Sequence, residues 1–248
     1  MNYRSSTAFS YSQFFKRSVL IGIFLLFGWM RPAITPAFAS AAASSSSDGD
    51  PLPLTSGNMG SLSSPVPHLF DFVDDIRNGQ KDALAGVYVP GVMAFRIVQQ
   101  PADDAGFVSQ QPDVLTQFGL VRQYQTIGLL AHNYLAGSAF FSLEPGEKVI
   151  LIFGDGSIET YQIDHIDSFQ ALSPSSPYSS FKEIGKSSDT LSVSTVFDRI
   201  YASGNRLVFQ TCIQADGEPS WGRIFITAFP LHLESSPTVL RMYLYNFS

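Results

Sequence analysis

Between Leu84 and Tyr245, short apolar runs recur with turn-forming residues between them. The runs are Leu84–Val89, Val92–Val98, Thr126–His132, Lys148–Phe153, Ile158–Ile166, Arg206–Cys212, Gly222–Phe229 and Val239–Tyr245. Segments of this length, rich in Val, Ile, Phe and Tyr and bounded by Gly, Pro, Asp and Ser, read as strands. Gly154-Asp155-Gly156, set between Ile150–Phe153 and Ile158–Tyr161, is the best hairpin signal in the chain. Many short strands with few helices predict a β-sandwich or barrel. Tyr161, Ile163 and His165 are expected to share one face of their strand, as residues two apart do.

One helix is predicted ahead of the strands, over about His68–Asn78. Pro67 precedes it and Gly79 follows it. Leu69, Phe72, Val73 and Ile76 form an apolar stripe at helical spacing. Asp71, Asp74 and Asp75 read as the solvated face of this helix in preference to a metal cluster. The 170–190 stretch, with Ser173-Pro174 and Pro177, is too polar and Pro-rich for a central strand. It reads as a long loop, and such loops are often functional.

Residues 1–39 carry the pattern of a targeting segment. Arg4, Lys16 and Arg17 flank an apolar core, Ser18–Met30, and Ala37-Phe38-Ala39 offers a small-x-small cleavage site. The core is short for a membrane span, which needs about 20 residues. Cleavage after Ala39 is therefore expected, and retention of residues 18–30 as a membrane anchor is the alternative. Either outcome puts the rest of the chain outside the cell membrane, secreted or at the cell surface. Residues 40–66, mostly Ser, Ala, Pro and Gly, form a flexible linker. Residues 67–248 suit one domain. The whole chain carries a net charge of −6. Removing residues 1–39 takes away four basic residues and no acidic one, leaving the remainder more acidic still. That argues against nucleic acid or an anionic membrane surface as the main partner.

Cys212 is the only cysteine. In an exported chain it has no disulfide partner within the molecule. It is an inert buried thiol, an intermolecular link or a nucleophile. Free cysteines are commonly buried, so composition alone favours the inert role. A nucleophilic thiol needs a base and a cation beside it. Among the four histidines, His68 starts the helix, His165 sits within a strand and His232 follows Pro230. His132 instead ends an apolar run and leads into Asn133-Tyr134-Leu135-Ala136-Gly137, where a side chain can project into a cleft. Arg223 follows a loop containing Asp216-Gly217, Pro219 and Gly222, which would return it beside Cys212. An arginine there suits an oxyanion or a peptide carbonyl, or else makes a surface ion pair with Asp216 or Glu218.

Together these segments resemble the sortase family. Val208-Phe209-Gln210-Thr211-Cys212 is similar to the Thr-Leu-x-Thr-Cys strand end of sortases, with Val and Phe in place of Thr and Leu. Trp221-Gly222-Arg223-Ile224-Phe225-Ile226 looks like the sortase arginine strand, with Arg223 eleven positions after Cys212. His132, in Leu129-Leu130-Ala131-His132-Asn133, lies 80 positions before the cysteine, in the family's His, Cys, Arg order. The match covers about residues 84–230, and the polar stretch at about 172–188 falls where sortases place a specificity loop.

The resemblance implies an all-β fold: a closed barrel of about eight strands with a short N-terminal helix and few other short helices. It implies that Cys212 attacks a peptide carbonyl in a sorting motif, that His132 moves the proton and that Arg223 stabilises the oxyanion. Thr211 and Asn133 are the supporting residues. The acyl-enzyme would be resolved by an amine on the cell wall or a protein. No cofactor or metal is needed for this chemistry. Hydrolysis by a cysteine peptidase, or an inert domain that binds peptide or the cell surface, are the competing readings.

Overall fold

The computed structural model describes residues 66–186 and 189–231. The expected targeting segment (1–39), nearly all of the linker, the Val239–Tyr245 strand and His232 lie outside the described residues.

Among the described residues, nine strands form one sheet. They are β1 (Leu84–Val89), β2 (Met93–Gln99), β3 (Val114–Gln117), β4 (Thr126–Leu130), β5 (Lys148–Phe153), β6 (Ile158–Ala171), β7 (Phe181–Glu183), β8 (Arg206–Ala215) and β9 (Glu218–Pro230). The order is β5-β1-β2-β3-β4-β8-β9-β6-β7, and β5 also pairs with β6. That extra pairing closes eight strands into a ring and leaves β7 as an appendage on β6. Most pairs are antiparallel, but β2–β3 and β4–β8 are parallel. Closure removes exposed strand edges. The expected closed, mostly β barrel is present.

Alternation along the strands divides the apolar residues into an inside and an outside. Leu129, Leu207, Phe209, Ile224 and Ile226 fill the barrel. Their neighbours Leu130, Val208 and Phe225 point outward, where α2 (Val193–Tyr201) covers them with Val196, Phe197, Ile200 and Tyr201. Ser192 caps α2, accepting from the Thr195 N–H. The N-terminal helix α1 (Leu69–Ile76) buries Leu69, Phe72, Val73 and Ile76 against Ala85, Tyr88, Ile150 and Ile152. Eight residues are too few for a helix to stand alone in water, so this packing holds it, at about 1.5–3 kcal/mol per buried side chain. Gly86 lets it approach, since a Cβ there would run into Ile76 and Phe72.

Four features depart from the reading of the sequence. Asp164 is skipped in the pairing of β6 with β9, and this bulge turns His165 away from the face of Tyr161 and Ile163. Tyr161 and Ile163 face the barrel core, while His165 stands beside Asp167 on the outside. The 170–190 stretch carries β7, although only at the edge of the sheet. The strand predicted to reach His132 stops at Leu130. Strand β3 and helix α2 went unpredicted: β3 has only four residues, whereas Val193, Val196, Phe197, Ile200 and Tyr201 of α2 keep helical spacing behind the Ser192 cap, a signal that is present in the sequence. On α1, Asp74 pairs with Arg77 at 3.0 Å and Asp75 with Arg96.

Candidate active site

The site begins with a turn. Asp216 and Gly217 both have positive φ, 53° and 78°, as a two-residue type I′ hairpin turn requires. Strands β8 and β9 therefore run on to Ala215 and from Glu218, further than their apolar runs suggest. A register shift between Ile213 and Ala215 then sets Cys212 directly opposite Arg223. Residues opposed across a ladder project to the same face, with Cβ atoms about 5 Å apart. That face is the outer one, shared with Val208 and Phe225. On the far side of Arg223 stands Phe169 of β6.

The other flank is set by the parallel pairing of β4 with β8, in which Leu130 faces Gln210. The alignment persists past the end of β4. Ala131 N–H donates to the Gln210 carbonyl at 3.3 Å, and the Thr211 hydroxyl donates to the Ala131 carbonyl at 2.8 Å. Two positions beyond the last paired residues, His132 comes level with Cys212. The chain then turns sharply, with the His132 carbonyl accepting from the N–H groups of Leu135 and Gly137, both at 3.0 Å. Only glycine fits at 137, since a Cβ there would lie 2.7 Å from the His132 carbonyl oxygen and collide with the Thr211 hydroxyl. Asn133 Nδ2 donates to the Pro219 carbonyl at 3.3 Å, linking the histidine turn to the β8–β9 hairpin. Register thus sets Cys212 and Arg223 face to face, and the β4–β8 alignment carries the chain of His132 toward the Cys212 end of β8. His68 and His165 lie away from it, His165 at 2.7 Å from Asp164.

The facing pair is sheltered. Cys212 is 3 % exposed and Arg223 1 % exposed. Arg223 Nη1 donates to the carbonyls of Ser220 (2.9 Å) and Gly222 (2.8 Å), which fix the guanidinium. Arg223 is thus a buried group and not a surface one, and the charge of Glu218 acts on it. Burial pushes the Cys212 thiol up to about 11, and the Arg223 charge acts in the opposite direction. Loss of solvent lowers the His132 imidazole, opposed by a hydrogen bond to the Val108 backbone. The resting pair is therefore a thiol and a neutral imidazole. Neither charged form would be solvated here.

Two residues around His132 were not singled out as site residues in the sequence. Gln110 Nε2 lies 2.7 Å from His132 Nε2, the Tyr134 hydroxyl donates to Gln110 Oε1 at 3.1 Å, and the Tyr134 ring stacks on the imidazole at 5.2 Å. Gln110 belongs to the irregular β2–β3 connection, where no periodicity singles out a residue. Arg199 of α2 bonds to Asp167 and Glu183, both at 2.9 Å, and locks α2 and β7 against β6. Among the described residues no group of three or more His, Cys, Asp or Glu could hold a metal ion. No helix among them is long and apolar enough to cross a membrane.

No protein-family model matches the chain, and no curated protein matches it. Solved structures similar to it in fold are sortases. Sortase C1 from Streptococcus suis is 10 % identical, with a TM-score of 0.42 over 67 % of this chain and 81 % of that one. Sortase C from Clostridium perfringens, solved with the C-terminal cell wall sorting motif, is 12 % identical, with a TM-score of 0.40 over 66 % and 83 %. Sortase A from Listeria monocytogenes is 12 % identical, with a TM-score of 0.37 over 66 % and 98 %. A likeness at this level says nothing of chemistry. The ring of eight strands itself defines the class: a closed mixed β-barrel.

Proposed function

We propose that this protein is a sortase-type cysteine transpeptidase. The observation that carries the reading is the register: Arg223 directly opposite Cys212, with the chain of His132 carried toward the Cys212 end of β8. In the reaction the Cys212 thiol gives its proton to the neutral imidazole of His132. The sulfur attacks the carbonyl carbon of a peptide bond in a sorting-type motif. Arg223 stabilises the negative charge that develops on the carbonyl oxygen. The imidazolium of His132 then protonates the leaving amine, and the carbonyl re-forms as a thioester on Cys212. A primary amine on the cell wall or on another protein attacks the thioester, His132 takes the amine's proton, and the new amide leaves with Cys212 restored. Water in place of the amine gives hydrolysis by the same groups. Burial keeps the Cys212 thiol protonated at neutral pH, so the step needs a proton acceptor, the role given to His132. Thr211 and Asn133 support the geometry through Ala131 and Pro219. The chain acts on the outside of the membrane, released or held by residues 18–30.

The burial of Cys212 favours a second reading, an inert barrel that binds peptide or the cell surface. Incubating the full chain with sorting-motif peptides and an amine acceptor, followed by mass spectrometry, separates the two. A thioester on Cys212 and an amide product, both lost in Cys212→Ala, are expected. Turnover retained in Cys212→Ala, or no adduct with any peptide, would sink the transpeptidase reading.

A further inference from the structure

The environment of His132 has a consequence for how the site is held at rest. Gln110 Nε2 is only a donor, so at 2.7 Å it makes His132 Nε2 the acceptor. Its orientation is fixed from the other side, since Gln110 Oε1 accepts from the Tyr134 hydroxyl. A neutral imidazole that accepts at Nε2 carries its proton on Nδ1, and that N–H is the donor to the Val108 backbone. Both ring nitrogens are thus taken by the 108–110 segment of the β2–β3 connection. That segment is anchored: Val108 packs in the outer core, and Ser109 N–H donates to Thr116 Oγ1 of β3 at 2.9 Å. Tyr134 stacks over the imidazole and remains exposed on its other side.

We propose that Gln110 is a latch on His132: it occupies the one nitrogen through which His132 can exchange protons, and the amine of the leaving or incoming substrate takes its place. The proposal rests on the transpeptidase reading for its substrate and on geometry for the latch. Nδ1 is committed to the backbone, and Nε2 is the only nitrogen left for the Cys212 proton. While Gln110 donates into it, that proton has nowhere to go. An amine N–H makes the same kind of bond to Nε2 that the Gln110 amide makes, so the amide stands where a primary amine would bind. Tyr134 forms one wall of that position. Of the charged or titratable side chains on the flanking elements, the Tyr134 ring stacks on His132, Cys212 is on the neighbouring β8 and Arg223 is one strand further on. The 108–110 segment brings only neutral groups. Gln110 is itself exposed, so its replacement costs the fold little.

The test uses the full chain in detergent, with and without Gln110→Ala. Without a peptide, the rate at which iodoacetamide alkylates Cys212 at neutral pH is measured. The Sγ–H proton passes to His132 Nε2, and the sulfur displaces iodide. Opening the latch should raise this rate about tenfold, the change that one pKa unit makes in thiolate. Nitrogen-15 NMR of the histidine rings should show His132 as the Nδ1–H tautomer in the wild type and a changed Nε2 signal in the variant. Gln110→Glu, whose carboxylate accepts from a protonated Nε2, should move the His132 titration to higher pH. With peptide and amine, Gln110→Ala should lower the KM for the amine more than it changes kcat. An unchanged alkylation rate with unchanged ring signals would overturn the latch. Because alkylation and NMR need no peptide, the latch stands or falls apart from turnover. A latch that opens in a chain without turnover would refute the transpeptidase reading alone.

Discussion

Thr211 Oγ1 donates a 2.8 Å hydrogen bond to the carbonyl of Ala131, so the residue before Cys212 is tied to the residue before His132. The bond extends the β4–β8 ladder one step past the last residue of β4, where the backbone of His132 is already bent into its turn. The approach of His132 to the Cys212 end of β8 depends on it. Thr211→Val keeps the shape but leaves the Ala131 carbonyl short of a partner in a buried place. A loss of about 1–3 kcal/mol in unfolding free energy is expected, with reduced alkylation or turnover at Cys212. Thr211→Ser keeps the hydroxyl and should restore most of both. Chemical denaturation of the three proteins checks this, and a Thr211→Val variant as stable and active as the wild type would refute it.

Gly137 serves the same junction from the other side. A methyl group at this position meets the His132 carbonyl and the Thr211 hydroxyl together, and neither can retreat without breaking a hydrogen bond. Gly137→Ala should therefore destabilise the protein by about 1–3 kcal/mol, the usual cost of overpacking, and should disturb the His132 ring signals. Gly146, where an added Cβ meets nothing within 4 Å, marks the contrast. Its replacement acts through a φ of +94° alone and should leave the His132 signals unmoved.

The barrel was legible because its strands announce themselves by apolar runs, and β1 and β5 have the very bounds those runs suggest. Cys212, Arg223 and His132 were legible as residue types in a familiar order. Register was not. The positive φ values at Asp216 and Gly217 and the slip before Ala215 decide that Arg223 faces Cys212, and neither shows as a pattern of hydrophobicity. The reversal of His165 at Asp164 was hidden for the same reason, since a one-residue bulge leaves the composition of a strand unchanged. Gln110 lies in an irregular segment and acts through a single side-chain contact formed only on folding. The protonation states were out of reach as well, because they follow from burial.

Thiol titration distinguishes the two influences on Cys212. Burial raises its pKa and the Arg223 charge lowers it, so alkylation should climb with pH toward a midpoint of about 11. Removing the positive charge while keeping length and polarity, in Arg223→Gln, should move the midpoint higher still. Arg223→Lys, which keeps the charge, should stay near the wild type in midpoint although it loses the fork of donors. The measurement is alkylation rate against pH, with circular dichroism on each variant to confirm the barrel. A midpoint that falls in Arg223→Gln would mean that the guanidinium does not act on the sulfur.

Glu183 gives the fold an acid-sensitive fastening. Hydrogen bonds from Arg199 first, and then Lys186, hold its carboxyl down to about 2, below the usual 4.5. A carboxylate whose pKa is depressed by folding binds protons more readily in the unfolded chain. Its contribution is therefore present in full above about pH 4.5 and is lost as pH falls through 4.5 toward 2. Asp167 shares Arg199, so the loss loosens α2 and β7 from β6 together. Glu183→Gln should lower the melting temperature at pH 7, and the gap to the wild type should close as the pH is brought to about 2. Thermal unfolding of both proteins at pH 7, 4.5 and 2.5 is the check. A gap that stays constant across that range would show that the Glu183 charge has no part in holding α2 to the barrel.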